Sequence, residues 1–366
     1  MSLARLSRLY YRWLAAGILT GLLLVGCVAV ASAAQTDNDT CLGCHSNAGL
    51  NVTLASGEVL PLTVDPQVYS ASVHGAAGLT CISCHTNIDG YPHPTLTAGD
   101  RRSFQLERYQ QCQACHADQY QAALDSNHAR ALAAGDRNAA ICTDCHGAHN
   151  VSKPNSPRQK ISTTCQQCHS AIYEQYATSV HGESLIANSN PDVPTCTDCH
   201  GAHTQEDPRT TEFRLKSPNL CGNCHANAAL MQKYGISTQV FDTYVADFHG
   251  TTVTLFEKQH PDQETNKAVC TDCHGIHNIK AVTDADATVV KENLLTTCRR
   301  CHPDATTNFP ASWVGHFQPT RENNPLVYYV NLFYRILIPA VIGAMAGFVA
   351  IDFMRKLINK FGRKGA

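Results

Sequence analysis

The chain has 366 residues, nineteen cysteines and a formal net charge of −2. The charge is distributed unevenly, because residues 35–335 hold 20 Lys and Arg against 29 Asp and Glu. Nucleic acid binds to basic surfaces, so this acidic central part argues against a nucleic-acid partner.

The first 34 residues have the pattern of a secretory signal peptide. Three arginines precede an apolar run over residues 13–30, and the small residues 31–34 follow it. This order predicts that the chain is exported and cleaved after Ala33 or Ala34.

Cys27 gives the same segment two other interpretations. Leu24-Val25-Gly26-Cys27 looks like a lipoprotein cleavage box, in which Cys27 would carry the lipid. An uncleaved anchor is the third option. We favour ordinary cleavage because the apolar run continues past Cys27 to Val30.

The other eighteen cysteines form nine Cys-x-x-Cys-His motifs, the attachment pattern of c-type haem. The two thiols form thioethers with the haem vinyl groups, and the histidine takes one axial position on iron. A disulfide-rich domain or a zinc array would not require a histidine at this fixed offset. The cysteines are Cys41, Cys44, Cys81, Cys84, Cys112, Cys115, Cys142, Cys145, Cys165, Cys168, Cys196, Cys199, Cys221, Cys224, Cys270, Cys273, Cys298 and Cys301. The histidines are His45, His85, His116, His146, His169, His200, His225, His274 and His302.

Little regular structure is expected between these motifs. Alternating apolar residues on both sides of Ser56-Gly57-Glu58 predict a small hairpin within residues 51–64. Residues 35–320 must hold nine haems, so stacked porphyrins would supply much of the apolar interior. We therefore expect a mostly α, haem-packed domain with short helices and loops.

An internal repeat of four units follows the first motif. Each unit has an upstream histidine, a first motif, a downstream histidine and a closing motif. The first motifs begin at Cys81, Cys142, Cys196 and Cys270, and the closing motifs at Cys112, Cys165, Cys221 and Cys298. The upstream histidines are His74, His128, His181 and His249, and the downstream histidines are His93, His149, His203 and His277.

Three units share the phrase Cys-Thr-Asp-Cys-His-Gly-(Ala/Ile)-His, whereas the first unit takes an eight-residue step from His85 to His93. A histidine so soon after the motif cannot reach the opposite face of the same haem, so it should serve a neighbouring one. His116 to His128 and His169 to His181 should be helices, each joining two different haems.

The histidine count nearly balances the haem count. The eight upstream and downstream histidines, together with His316, give nine sixth ligands for nine irons. His260 is then surplus and should be a solvated loop residue, while Met231 could replace at most one histidine. Nine bis-histidine haems leave no open coordination position, which favours electron transfer over catalysis.

The C-terminal region predicts a single membrane anchor. Residues 326–351 are apolar enough and long enough to span a bilayer, and five basic residues follow. Basic flanks mark the cytoplasmic side, so the haem domain should face the periplasm. The expected organisation is a signal peptide at 1–34, a haem domain at 35–320, an anchor at 321–354 and a basic cytoplasmic tail at 355–366.

With its nine motifs, the chain resembles multihaem c-type cytochromes. Two of its phrases, Ser-Val-His-Gly and Cys-His-Gly-Ala-His, resemble phrases of the cytochrome c3-like families. The ending, from His316-Phe317-Gln318-Pro319-Thr320 into the membrane helix, looks like the periplasmic cytochrome subunits of quinol-oxidising complexes. The chain departs from tetrahaem quinol dehydrogenases, which have an N-terminal anchor, and it lacks the Cys-x-x-Cys-Lys site of cytochrome c nitrite reductases.

This resemblance implies a relay of electrons from a membrane quinol-oxidising partner, such as a b-type cytochrome, to a periplasmic or outer-membrane acceptor. The anchor has no histidine of its own with which to bind haem b, and Gly343 and Gly347 would permit a partner helix to pack closely. Two alternatives stay open. One is a reductase of a small oxyanion, such as nitrite or tetrathionate, at a five-coordinate haem, and the other is a subunit of an extracellular cytochrome filament.

Overall fold

The computed structural model describes residues 38–88, 90–311, 315–322 and 324–362. The signal peptide and the cleavage box at Cys27 lie outside the described residues. The fold is mostly helical, as predicted, and its elements are short up to the C-terminal helix.

Short helices account for most of the regular structure. Residues 38–45 are helical (α1). They are followed by α2 Pro66–Ala71, α3 Val73–Ala76, α4 Cys81–Cys84, α5 Arg101–Arg108, a 3-10 helix Tyr109–Ala114, α6 Ala117–Leu124, α7 Asn127–Ala133, α8 Cys142–His146, α9 Gln159–Gln166 and α10 Ser170–Ala177. The remainder are α11 Val180–Asn188, α12 Cys196–His200, α13 Thr211–His225, α14 Ala228–Gln232, α15 Val240–Ala246, α16 Phe248–Gln259, α17 Cys270–His274, α18 Lys291–Arg299, α19 Asn308–Ala311 and α20 Pro325–Gly362.

The predicted N-terminal hairpin is confirmed. Strands β1 Asn51–Thr53 and β2 Val59–Pro61 pair antiparallel, with Val52 opposite Leu60. Gly57 has a φ of 85°, a left-handed conformation that suits glycine at the turn. Leu54 and Leu60 are buried beneath it.

The described chain divides into two compact units. The first contains the residues up to Phe213 together with Ile276–Ile279, and the second contains Arg214–Gly275 and the chain from Lys280 onward. In the second unit a small core joins Leu215, Val253 and Val269. Only fourteen of the described residues are buried hydrophobics, so side chains alone form a small core, as the haem-packed interpretation expects.

Helix α20 is the single long element among the described residues. It has 38 residues, a mean hydropathy of 2.2 in its most apolar part, and the length and composition to cross a membrane. At about 1.5 Å per residue it is longer than the roughly 30 Å of a bilayer core. It begins at Pro325 and continues past residue 354 into the predicted basic tail, where Lys356 pairs with Asp352 at 2.7 Å.

Candidate haem sites

The first motifs of the second, third and fourth units fold into short helices that are capped by their own aspartate. In α8, Asp144 accepts a hydrogen bond at 2.8 Å from the backbone N–H of Ile141, the residue before the first cysteine. Asp198 and Asp272 do the same for α12 and α17, at 2.6 and 2.7 Å. This hydrogen bond stabilises the single helical turn that contains both cysteines, and it thereby fixes the position of the motif histidine at the end of that turn.

A glycine ends each of these three helices and turns the chain away after the motif histidine. Gly147, Gly201 and Gly275 have φ angles of 75°, 78° and 83°, which other residues rarely adopt. The shared phrase is therefore a structural unit in which aspartate starts the helix and glycine ends it. The first unit has Ser83 in place of the aspartate, and its hydroxyl accepts a hydrogen bond from the N–H of Thr80 at 3.1 Å.

Eight of the nine motif histidines each lie beside one histidine of the predicted sixth-ligand set. Their ring centroids are 5.9 to 6.3 Å apart. The pairs are His45–His93, His85–His149, His116–His74, His146–His203, His169–His128, His200–His277, His274–His316 and His302–His249. Two predicted ligands stand outside these eight pairs: the sixth-ligand candidate His181, in the first compact unit, and the motif histidine His225, in the second.

These separations fit one metal ion between two imidazoles. Bonds of about 2 Å from the metal to each nitrogen, plus about 1.1 Å from each nitrogen to its ring centre, place the centroids roughly 6 Å apart. Among the described residues no three or more His, Cys, Asp and Glu side chains gather into a metal site. The centroid separations suit a metal ion held by two imidazoles, as a bis-histidine haem requires.

The pairs follow a regular order in the repeat. A downstream histidine lies beside the first motif of the preceding unit, as His149 lies beside His85. An upstream histidine lies beside the closing motif of its own unit, as His74 lies beside His116. The first motifs of the first three units are thus each completed by a histidine of the following unit, so these repeat units interlock.

The two ends of the array depart from this order. The motif at His45 precedes the first unit, and it lies beside the downstream histidine of that unit, His93. The fourth unit has no successor, and His316 occupies the position beside His274 that a fifth unit would fill.

His260 and Met231 lie apart from these pairs. His260 is exposed at the end of α16, with its ring 6.2 Å from Phe256. Met231 is buried in α14.

Partial burial favours the neutral form of several paired imidazoles, the form that binds metals, because it lowers their pKa values. It lowers the pKa of His85, and the neighbouring His149 lowers it further. The same two causes, burial and then the paired ring, lower the pKa values of His128, His146, His200 and His274.

The first cysteines of consecutive motifs lie in contact. The two side chains are close enough to interact in the pairs Cys41–Cys81, Cys112–Cys142, Cys165–Cys196 and Cys221–Cys270. The attachment atoms of neighbouring sites therefore adjoin.

A tyrosine that the sequence analysis did not predict as important stands five residues before three of the upstream histidines. The hydroxyls of Tyr69, Tyr176 and Tyr244 donate to carbonyl oxygens of Leu79, Pro194 and Ala268 at 2.7, 2.7 and 2.9 Å. Each acceptor stands two residues before a first motif. The fixed spacing Tyr-x-x-x-x-His-Gly was the available signal.

The family model described as cytochrome c3 matches residues 136–226. No curated protein and no solved structure matches the chain. The matched region runs from just before the motif at Cys142 to the motif histidine His225, so it covers four of the nine motifs. The match supports a multihaem c-type cytochrome with covalently bound haem c and a role in electron transfer.

Proposed function

We propose that this chain is a membrane-anchored, nine-haem conduit on the periplasmic side of the cytoplasmic membrane. It takes electrons from a quinol-oxidising membrane subunit, such as a b-type cytochrome, and passes them to a periplasmic or outer-membrane acceptor. The observation that carries the proposal is the set of eight histidine pairs, in which a second imidazole stands opposite each motif histidine at iron-bridging distance.

In this proposal the paired imidazoles are the axial ligands of eight haems. The ninth haem, at the motif Cys221–His225, follows from the histidine count, which leaves one sixth ligand for it. A second imidazole on each iron denies that position to water, oxyanions and other small ligands. Haem c, when bound, supplies reversible one-electron chemistry, and the protein restricts it to that.

The positions of the cysteines support electron transfer from haem to haem in sequence order within each compact unit. In the first compact unit of the structure, cysteines of each motif lie close to cysteines of the next. This links the motifs that begin at Cys41, Cys81, Cys112, Cys142, Cys165 and Cys196. In the second compact unit, close cysteines link the motifs that begin at Cys221, Cys270 and Cys298. Neighbouring attachment points keep successive haems close, which is what stepwise electron transfer needs.

Helix α20 supports the membrane location. Its described side chains are mostly exposed and apolar, as suits a surface that faces lipid or a partner helix. The basic residues near its end favour a cytoplasmic C-terminus, which places the haem sites on the opposite side.

The direct test is quinol-dependent reduction in native membranes. Menadiol added to membranes that contain the full-length chain should reduce its haem c, seen in the α-band absorbance, much faster than it reduces the detergent-purified chain. Equal rates would contradict a quinol-oxidising partner. Turnover of nitrite or tetrathionate by the dithionite-reduced, purified chain would contradict the conduit and favour a reductase.

A further inference from the structure

Three arginines make the same contact at three equivalent places. Arg102, Arg158 and Arg214 each reach the aspartate inside a Cys-Thr-Asp-Cys-His motif, at 3.0, 2.7 and 2.7 Å. The partners Asp144, Asp198 and Asp272 lie 42, 40 and 58 residues further along the chain.

Each arginine also holds the backbone that leads into the same motif. Arg102 donates to the carbonyl oxygen of Ala139 at 2.6 Å, three residues before Cys142. Arg158 and Arg214 donate to the carbonyls at the corresponding positions, those of Val193 and Lys267, at 3.2 and 2.9 Å. Because the aspartate also caps the motif helix, one guanidinium fixes both the helix and its entry segment.

The arginines lie just before closing motifs, so each contact joins two motifs. Arg158 precedes Cys165 by seven residues, and Arg214 precedes Cys221 by seven. The motifs joined in this way are those whose first cysteines touch: Cys112 with Cys142, Cys165 with Cys196, and Cys221 with Cys270.

The remaining touching pair, Cys41 with Cys81, is held by neutral groups instead. Asn38 accepts from the N–H of Cys81 at 2.9 Å and from its thiol at 3.1 Å. Ser83 stands where the other motifs have aspartate. This chain therefore holds adjacent motifs in two ways, and only the arginine contacts put a guanidinium and a carboxylate beside the motif.

We propose that Arg102, Arg158 and Arg214 are positioning residues that set three haem pairs and balance their potentials through the three aspartates. The proposal rests on the chain being a multihaem cytochrome and does not depend on the quinol-oxidising partner. In each contact the guanidinium cancels the carboxylate charge beside the motif. The side chains are 20 to 42% exposed, so solvent screens them only in part.

The two members of a contact have opposite electrostatic effects on a nearby iron. Removing the arginine leaves a carboxylate that stabilises the oxidised, more positive iron, so the local potential falls. Removing the aspartate charge leaves a guanidinium that destabilises it, so the potential rises. Loss of packing alone would not produce shifts of opposite sign.

The test uses Arg158→Gln and Asp198→Asn in the purified full-length chain, titrated with chemical mediators. An asparagine oxygen can still accept from the N–H of Thr195, so Asp198→Asn retains the helix cap. Arg209→Gln is the control, because Arg209 pairs at 2.8 Å with Asp207, a carboxylate outside the Cys-x-x-Cys-His motifs, and is 83% exposed. Arg102→Gln and Arg214→Gln repeat the test should Arg158→Gln not fold.

We expect Arg158→Gln to move part of the titration to lower potential and Asp198→Asn to move it to higher potential, with no movement in Arg209→Gln. Arg158→Lys keeps the charge but loses the planar guanidinium that contacts both Asp198 and the Val193 carbonyl. Its potentials should stay near those of the native chain while the Soret circular dichroism from coupled haems weakens. Shifts of the same sign in Arg158→Gln and Asp198→Asn, or no shift in either, would overturn the proposal. A failure of the quinol test in membranes would leave this result unaffected.

Discussion

At the scale of single residues, a histidine's role follows from what stands opposite its ring. His149 lies beside His85, with ring centroids 6.0 Å apart, and desolvation lowers the pKa values of both. His260 is of the same residue type, but its ring, at the end of α16, lies 6.2 Å from that of Phe256. The two residues make a matched pair for testing ligation.

Substitution of His149 by alanine should convert one haem from low spin to high spin, because its iron loses a strong-field sixth ligand. Electron paramagnetic resonance of the oxidised protein measures this change. His260→Ala is the control and should leave the spectrum unaltered. A high-spin signal in His260→Ala, or its absence in His149→Ala, would show that the ligand set is wrong.

Substitution of His316 by methionine should raise the potential of one haem, because methionine ligation favours reduced iron. The effect should be confined to the site at His274, which lies beside His316 with a centroid separation of 6.3 Å. A spectroelectrochemical titration measures it. If all the potentials stay unchanged, His316 is not a ligand.

At the scale of elements, the upstream histidines are held by a recurring turn between two helices. In the third unit, Ser179 caps α11 by accepting from the N–H of Gly182 at 3.0 Å, and the Tyr176 hydroxyl donates to the carbonyl of Pro194. A Cβ on Gly182 would lie 1.9 Å from the carbonyl oxygen of Tyr176. The turn therefore requires the close approach that only glycine allows.

Gly182→Ala should lower the melting temperature, since relieving this clash costs about 1–3 kcal/mol of unfolding free energy. Gly99→Ala is the control, because a Cβ there meets nothing within 4 Å and its φ is not in the left-handed region. Thermal unfolding followed by circular dichroism measures both. Equal melting temperatures would mean that the turn does not restrain His181.

Local patterns predicted most of what lies within one element. The nine motifs, the hairpin and the apolar C-terminal helix are each encoded by neighbouring residues, so the sequence was sufficient for them. The histidine count also selected the residues that the structure pairs, including His93 and His316 outside the regular phrases. Which histidine stands beside which motif was not predictable, because each pairing depends on how separate segments fold together.

The tyrosine and arginine contacts escaped prediction for a related reason. Tyr176 and Arg158 bind backbone carbonyls 18 and 35 residues away, and a carbonyl leaves no signature in the sequence. Only the recurrence of the donors at equivalent places in the repeat could have indicated them.

At the scale of the whole molecule, the proposed function requires that helix α20 anchor the haem domain in a membrane. Ala344→Arg places a charge near the middle of the apolar run, which costs about 2.5–3.5 kcal/mol for insertion. We expect the native chain to stay in the membrane pellet after sodium carbonate extraction, and Ala344→Arg to be partly released. Lys360→Arg, which keeps the charge near the end of α20, is the control. Release of the native chain would contradict the anchor.

The central claim is that two histidines bind every haem iron and leave no coordination position open. The most direct measurement is a spin-quantified electron paramagnetic resonance spectrum of the oxidised, full-length protein. The account predicts nine low-spin ferric haems per chain and no high-spin signal. A high-spin signal that integrates to one haem or more per chain would contradict it.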